Sequence, residues 1–133
     1  MSKKGSHQKY IEEIIAEIEE LGVDSVKGLY EFQNYMDALA SQLSKFHDIL
    51  FNSDEENPPS LSEVLETLSG KLKNSHLKDV AGDIGSLDDI FSDIEYESDY
   101  SPDYIEAVED TKVQMVTVLR EQMPCLLQKQ SLD

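Results

Sequence analysis

A chain of 133 residues suits one domain and is long enough to bury a core without metal or disulfide staples. Its 28 acidic residues against 11 basic ones give a formal net charge of −17. That balance excludes direct binding to DNA, RNA or anionic membranes, which are held by Lys and Arg displacing condensed counterions, and it predicts that a charged partner is basic. The single cysteine, Cys125, excludes an intramolecular disulfide and suits a reducing compartment. No stretch has the ~18 apolar residues of a membrane span, and the lysine-bearing start is followed by a charged amphipathic segment instead of a signal-peptide run. The expected localisation is cytoplasmic.

In chain order, residues 1–7 read as a flexible N-terminus, residues 8–123 as a helical bundle domain and residues 124–133 as a C-terminal tail. The first helix is predicted over 8–21, with Ile11, Ile14, Ile18 and Leu21 on one side and Gly22 as a left-handed terminator. Glu19 and Glu20 crowd the negative end of its dipole, so packing must hold this helix.

The second helix is predicted over about 25–51, capped by Asp24 or Ser25, and the rest of the chain is organised around it. Leu29, Phe32, Met36, Leu39, Leu43, Phe46 and Leu50 recur at spacings of three and four without a miss. Val26, Tyr30, Ala40 and Phe51 widen the stripe on one side, Tyr35 and Ile49 on the other. A stripe this wide fits the central helix of a bundle better than a two-stranded zipper, although a seam of this kind is also compatible with a homodimer.

After a polar loop over 52–59, Ser60 and Glu63 have the spacing of a capping box, opening a third helix with Leu61, Val64, Leu65, Leu68 and Leu72 on its apolar face. That helix should weaken near Asn74. Leu77, Val80, Ala81 and Ile84 suggest a short piece bounded by Gly82 and Gly85. Ser86 then offers a cap for another short piece carrying Leu87, Ile90, Phe91 and Ile94. Ser101 and Pro102 mark the start of a last long helix running to about Met123, where Pro124 stops or kinks it. Lys112 interrupts its apolar seam. Residues 113–119 are apolar on several sides, which predicts the most enclosed helix of the bundle or, alternatively, a β-strand. The expected fold is all-α, a single-domain bundle of four to five helices.

The charge is regional. Between Lys78 and Lys112 there is no basic residue and there are twelve acids; the other 16 acids face 11 bases. As continuous helix this stretch would carry one charge per ~4 Å, close to the ~3.4 Å per phosphate of one nucleic-acid strand. Tyr96, Tyr100 and Tyr104 lie among the acids, side chains that bury well at interfaces and can hydrogen-bond. The candidate partner-binding residues are therefore Asp88, Asp89, Asp93, Glu95, Tyr96, Glu97, Asp99, Tyr100, Asp103 and Tyr104.

Catalytic and metal signatures are weak. Asn52, Asp54, Glu56 and Glu63 match positions one, three, five and twelve of a calcium loop, but Asn57 stands where glycine is needed and Pro58 removes the pairing amide. His7, His47 and His76 lack ligand spacing, and no phosphate loop or nucleophile elbow occurs. The sequence implies no cofactor, no metal and no enzyme. It points to an acidic interaction domain that binds and blocks a basic protein, such as an immunity protein, an antitoxin or a phage-type inhibitor acting as a nucleic-acid mimic. The alternative is an adaptor or secretion chaperone that offers an apolar groove beside the long helix.

Overall fold

The computed structural model describes residues 3–46 and 60–126, the side chains of residues 3–8 and of Cys125 excepted. Five helices, α1 (Lys3–Glu20), α2 (Val26–Phe46), α3 (Leu61–Leu72), α4 (Ser75–Asp93) and α5 (Pro102–Glu121), are followed by the single turn α6 (Met123–Leu126). A 3-10 turn, Glu97–Asp99, lies between α4 and α5. The fold is an all-helical bundle. Each long helix packs on its neighbours in sequence, and α5 returns to pack on α1, so the five enclose one core.

The heptad seam of α2 supplies the largest share of that core. Leu29, Phe32, Met36, Leu39, Leu43 and Phe46 are all buried within the single chain, as bundle packing requires. Leu50, His47, the flanking Ile49 and Phe51, and the candidate calcium positions over 52–57 lie outside the described residues. From the other helices come Ile11, Ile14, Ile15 and Ile18 of α1, Leu61, Val64, Leu65 and Leu68 of α3, and Leu77, Val80, Ile84 and Leu87 of α4. Met115, Val116 and Leu119 of α5 close the core.

Local chemistry sets several boundaries as expected. Ser60 and Glu63 form the capping box, with the Glu63 amide donating to Ser60 Oγ at 3.2 Å and the Ser60 amide to Glu63 Oε1 at 3.3 Å. Ser101 accepts from the Tyr104 amide and Pro102 opens α5. Ser25 caps α2 by accepting from the Gly28 amide at 3.1 Å.

Elsewhere the structure differs from the expectation. Helix α1 starts at Lys3 instead of residue 8. Its end is not made by a left-handed Gly22, because no glycine among the described residues has positive φ. Instead the Lys112 ammonium donates to the Leu21 carbonyl at 2.6 Å, and Arg120 pairs with Glu19 at 2.6 Å. Two cations from α5 thus serve the electronegative end of a helix that has no basic residue in its own last turn. This also explains why a lysine interrupts the seam of α5.

The two short pieces expected over 77–94 are one helix, α4, running through Gly82 and Gly85. The apolar positions Leu77, Val80, Ala81, Ile84 and Leu87 keep one helical phase across both glycines, and their burial outweighs the ~1 kcal/mol that each glycine costs in a helix interior. Gly85 also permits close packing, since an added Cβ would stand 3.2 Å from Ser62 Oγ, whose hydroxyl donates to the Ala81 carbonyl at 2.7 Å. Ser86 is therefore no cap; its hydroxyl donates back to the Gly82 carbonyl.

The left-handed residue between α3 and α4 is Lys73, at φ 53°, and Asn74 caps α4 by accepting from the His76 amide at 3.0 Å. Residues 113–119 are helical, excluding the strand, and they are not the most enclosed segment: Val113 is 62% exposed. Helix α5 ends at Glu121 with Gln122 as its cap, two residues before Pro124, which does not stop it but lies inside α6, whose Leu126 is buried.

Candidate functional site

All twelve acids of the cation-free stretch lie at the surface, Asp83 alone being half-buried. They do not form a linear ladder. Helix α4 stops at Asp93, where Ile94 enters the core with an extended backbone, and Tyr100 is buried in turn after the 3-10 turn. The chain is thereby folded back into α5, which packs on α4.

The structure divides the ten sequence-predicted residues by role. Tyr100 is a core residue, 6% exposed, whose hydroxyl donates to the Val23 carbonyl at the α1–α2 corner. Burial, followed by the charges of Glu109, Asp24 and Glu97, pushes its phenol up to about 12. It is not a surface contact. Glu97 reaches the same corner, its Oε2 accepting from the Val26 amide at 2.9 Å, which places a carboxylate at the positive end of α2. Asp99 Oδ2 accepts from the amides of Glu95 and Tyr96 at 3.2 and 3.1 Å and so fixes the turn that carries them.

Asp93 and Tyr104 are brought together: the Tyr104 hydroxyl donates to Asp93 Oδ2 at 3.1 Å, and that bond raises the phenol's pKa. Tyr96, whose backbone amide donates to Asp99, is 67% exposed between the exposed carboxylates Glu95 and Glu97. Asp89 and Asp103 are exposed as well.

Asp88 faces elsewhere. With Asp37 of α2 it borders a cavity of about 30 Å³ walled by Met36, Leu61, Ile84 and Phe91. Desolvation, then the Asp88 charge, raises the Asp37 carboxyl above its ordinary value; desolvation, then Asp89 and Glu63, raises Asp88. Sequence reading missed Asp37 because it stands alone between apolar neighbours instead of in a charged run.

These shifts have a defined sign. A carboxyl whose folded pKa is raised contributes stability below its unfolded value, about 3.9, and that contribution is lost as pH rises through the folded value. Above the folded values of both groups the repulsion is fully present. Asp37→Asn is therefore expected to raise the urea midpoint at pH 7 and to leave it little changed at pH 3. A lower midpoint at pH 7 would show that the Asp37 carboxylate is stabilising.

Among the described residues no group of three or more His, Cys, Asp or Glu side chains is arranged to hold a metal ion, and no helix is long and apolar enough to cross a membrane. His76 is exposed at the start of α4. The side chains of His7, His47 and Cys125 lie outside the described residues. No protein-family model, curated protein or solved structure matches this chain. The bundle and its surface chemistry carry the functional argument.

Proposed function

We propose that the chain is a non-enzymatic interaction domain that binds and blocks a basic protein, in the manner of an immunity protein, an antitoxin or a phage-type inhibitor of a nucleic-acid-acting protein. The observation that carries this reading is the stretch 79–111, free of basic residues and with its acids at the surface, in which Tyr96 stands exposed between Glu95 and Glu97. Carboxylates concentrated in this way raise the local concentration of a cationic surface and steer its approach. Tyr96 then supplies an exposed aromatic that can bury against the partner or stack on its guanidinium and ammonium groups.

The exposed acids are carried by α4, the 3-10 turn and α5 instead of one continuous rod, so the partner surface this reading suits is a cationic patch or cleft. The test is affinity capture from the source cell's lysate at low ionic strength, followed by a salt gradient. Basic nucleic-acid-binding proteins or nucleases are expected to elute within the gradient. A partner that stays bound through high salt would replace this reading with an apolar contact.

A further inference from the structure

Three bonds from the C-terminal half of the chain converge on one corner, residues 21–26, where α1 passes into α2. The Lys112 ammonium takes the Leu21 carbonyl, the Tyr100 hydroxyl takes the Val23 carbonyl, and Glu97 takes the Val26 amide, across 91, 77 and 71 residues of sequence. Two of the three donors or acceptors belong to the short segment between α4 and α5. That segment therefore works as a strap across the corner.

The bonds differ in exposure. The Tyr100 contact is buried, while the Glu97 carboxylate is exposed and belongs both to the strap and to the acidic face. Asp24 and Glu109 lie close enough to Tyr100 to raise its phenol together with Glu97, so the carboxylate sits among like charges and faces the partial positive charge of the α2 N-terminus. An exposed ion pair and an exposed carboxylate at a helix N-terminus are of comparable strength. One cation therefore competes evenly for Glu97, and a partner presenting several outcompetes the α2 amide.

We propose that residues 95–101 form an ionic strap on the α1–α2 corner that slackens when cations occupy the acidic face, so that engaging a basic partner loosens the start of α2. The proposal rests on the basic-partner reading above and adds a conformational consequence to it.

The experiment is amide hydrogen exchange across residues 21–29 of the full chain at low ionic strength, with and without a hexalysine peptide as the cationic probe. Glu97→Gln alone is expected to accelerate exchange at Val26 and its neighbours about fivefold, the factor for losing one capping interaction. Hexalysine should produce a similar acceleration in the unaltered chain and none further in Glu97→Gln. Tyr100→Phe separates the causes: it loosens the corner without changing charge, so hexalysine should still accelerate Val26 there. If hexalysine perturbs the acidic face but leaves exchange at the corner unchanged or slower, the strap is overturned and the basic-partner reading stands. If hexalysine does not bind at all, both fall.

Discussion

Replacing Gly28 with alanine is expected to cost about 3 kcal/mol, the range of overpacking that a backbone cannot relieve. An ideal Cβ at this position would lie 2.1 Å from the Gly22 carbonyl oxygen and 3.1 Å from its carbon. Both are backbone atoms, so no side chain can rotate away. The first turn of α2 would have to move off the corner, disturbing the Ser25 cap and the bonds that Glu97 and Tyr100 make within a few residues of it.

Urea unfolding should show a lower midpoint with an unchanged slope, since the surface exposed on unfolding stays the same. Gly82→Ala is the internal control. Nothing lies within 4 Å of a Cβ there and the position is inside α4, so alanine should stabilise by about 0.5–1 kcal/mol through helix propensity. A Gly28→Ala chain as stable as the parent would mean that α2 does not approach Gly22 this closely.

The second large effect concerns binding. Neutralising Asp89, Glu95, Asp103 and Glu106 to their amides removes four exposed charges, taking the formal net charge from −17 to −13, while sparing the carboxylates that hold the strap and the α4–α5 turn. Exposed ion pairs contribute roughly 0.2–1 kcal/mol each, so four together should weaken the basic partner by on the order of 10–100-fold. The salt dependence should flatten in parallel, and the urea midpoint should hold or rise because like charges have been removed. Titrating the partner recovered from the salt gradient against both proteins, at two ionic strengths, reads each quantity. An affinity unmoved by all four changes would leave the acidic face as a solvated surface only.

Much of the fold is legible from local pattern. The α2 seam is read from its spacing alone, and the caps at Ser60 and Ser101 from hydroxyl chemistry within three residues of a helix start. What is not legible is long-range. Tyr96 and Tyr100 have nearly the same acidic neighbours in sequence, yet one is exposed and the other is core, because only Tyr100 meets the Val23 carbonyl across the bundle. Glu97 and Asp99 read as surface charge when no strand or heptad marks the amides they serve. Lys112 is visible as an anomaly in its seam, but its purpose depends on where α1 ends. The glycines of α4 mislead for a related reason: they punctuate when read alone and are overruled by the apolar phase on either side.

The pairing of α1 with α5 also sets an order of assembly. Helices α3 and α4 are joined by two residues and can meet as soon as both exist, whereas the Lys112 bond to Leu21 closes a span of 91 residues. Loop closure over such a distance is slow beside local pairing. A ribosome that has delivered α1 through α4 has made a helix with Glu19 and Glu20 at its end and neither of the α5 cations that balance it. Helix α1 is thus made before either of its counter-charges, and its last turn is balanced only when α5 packs on it.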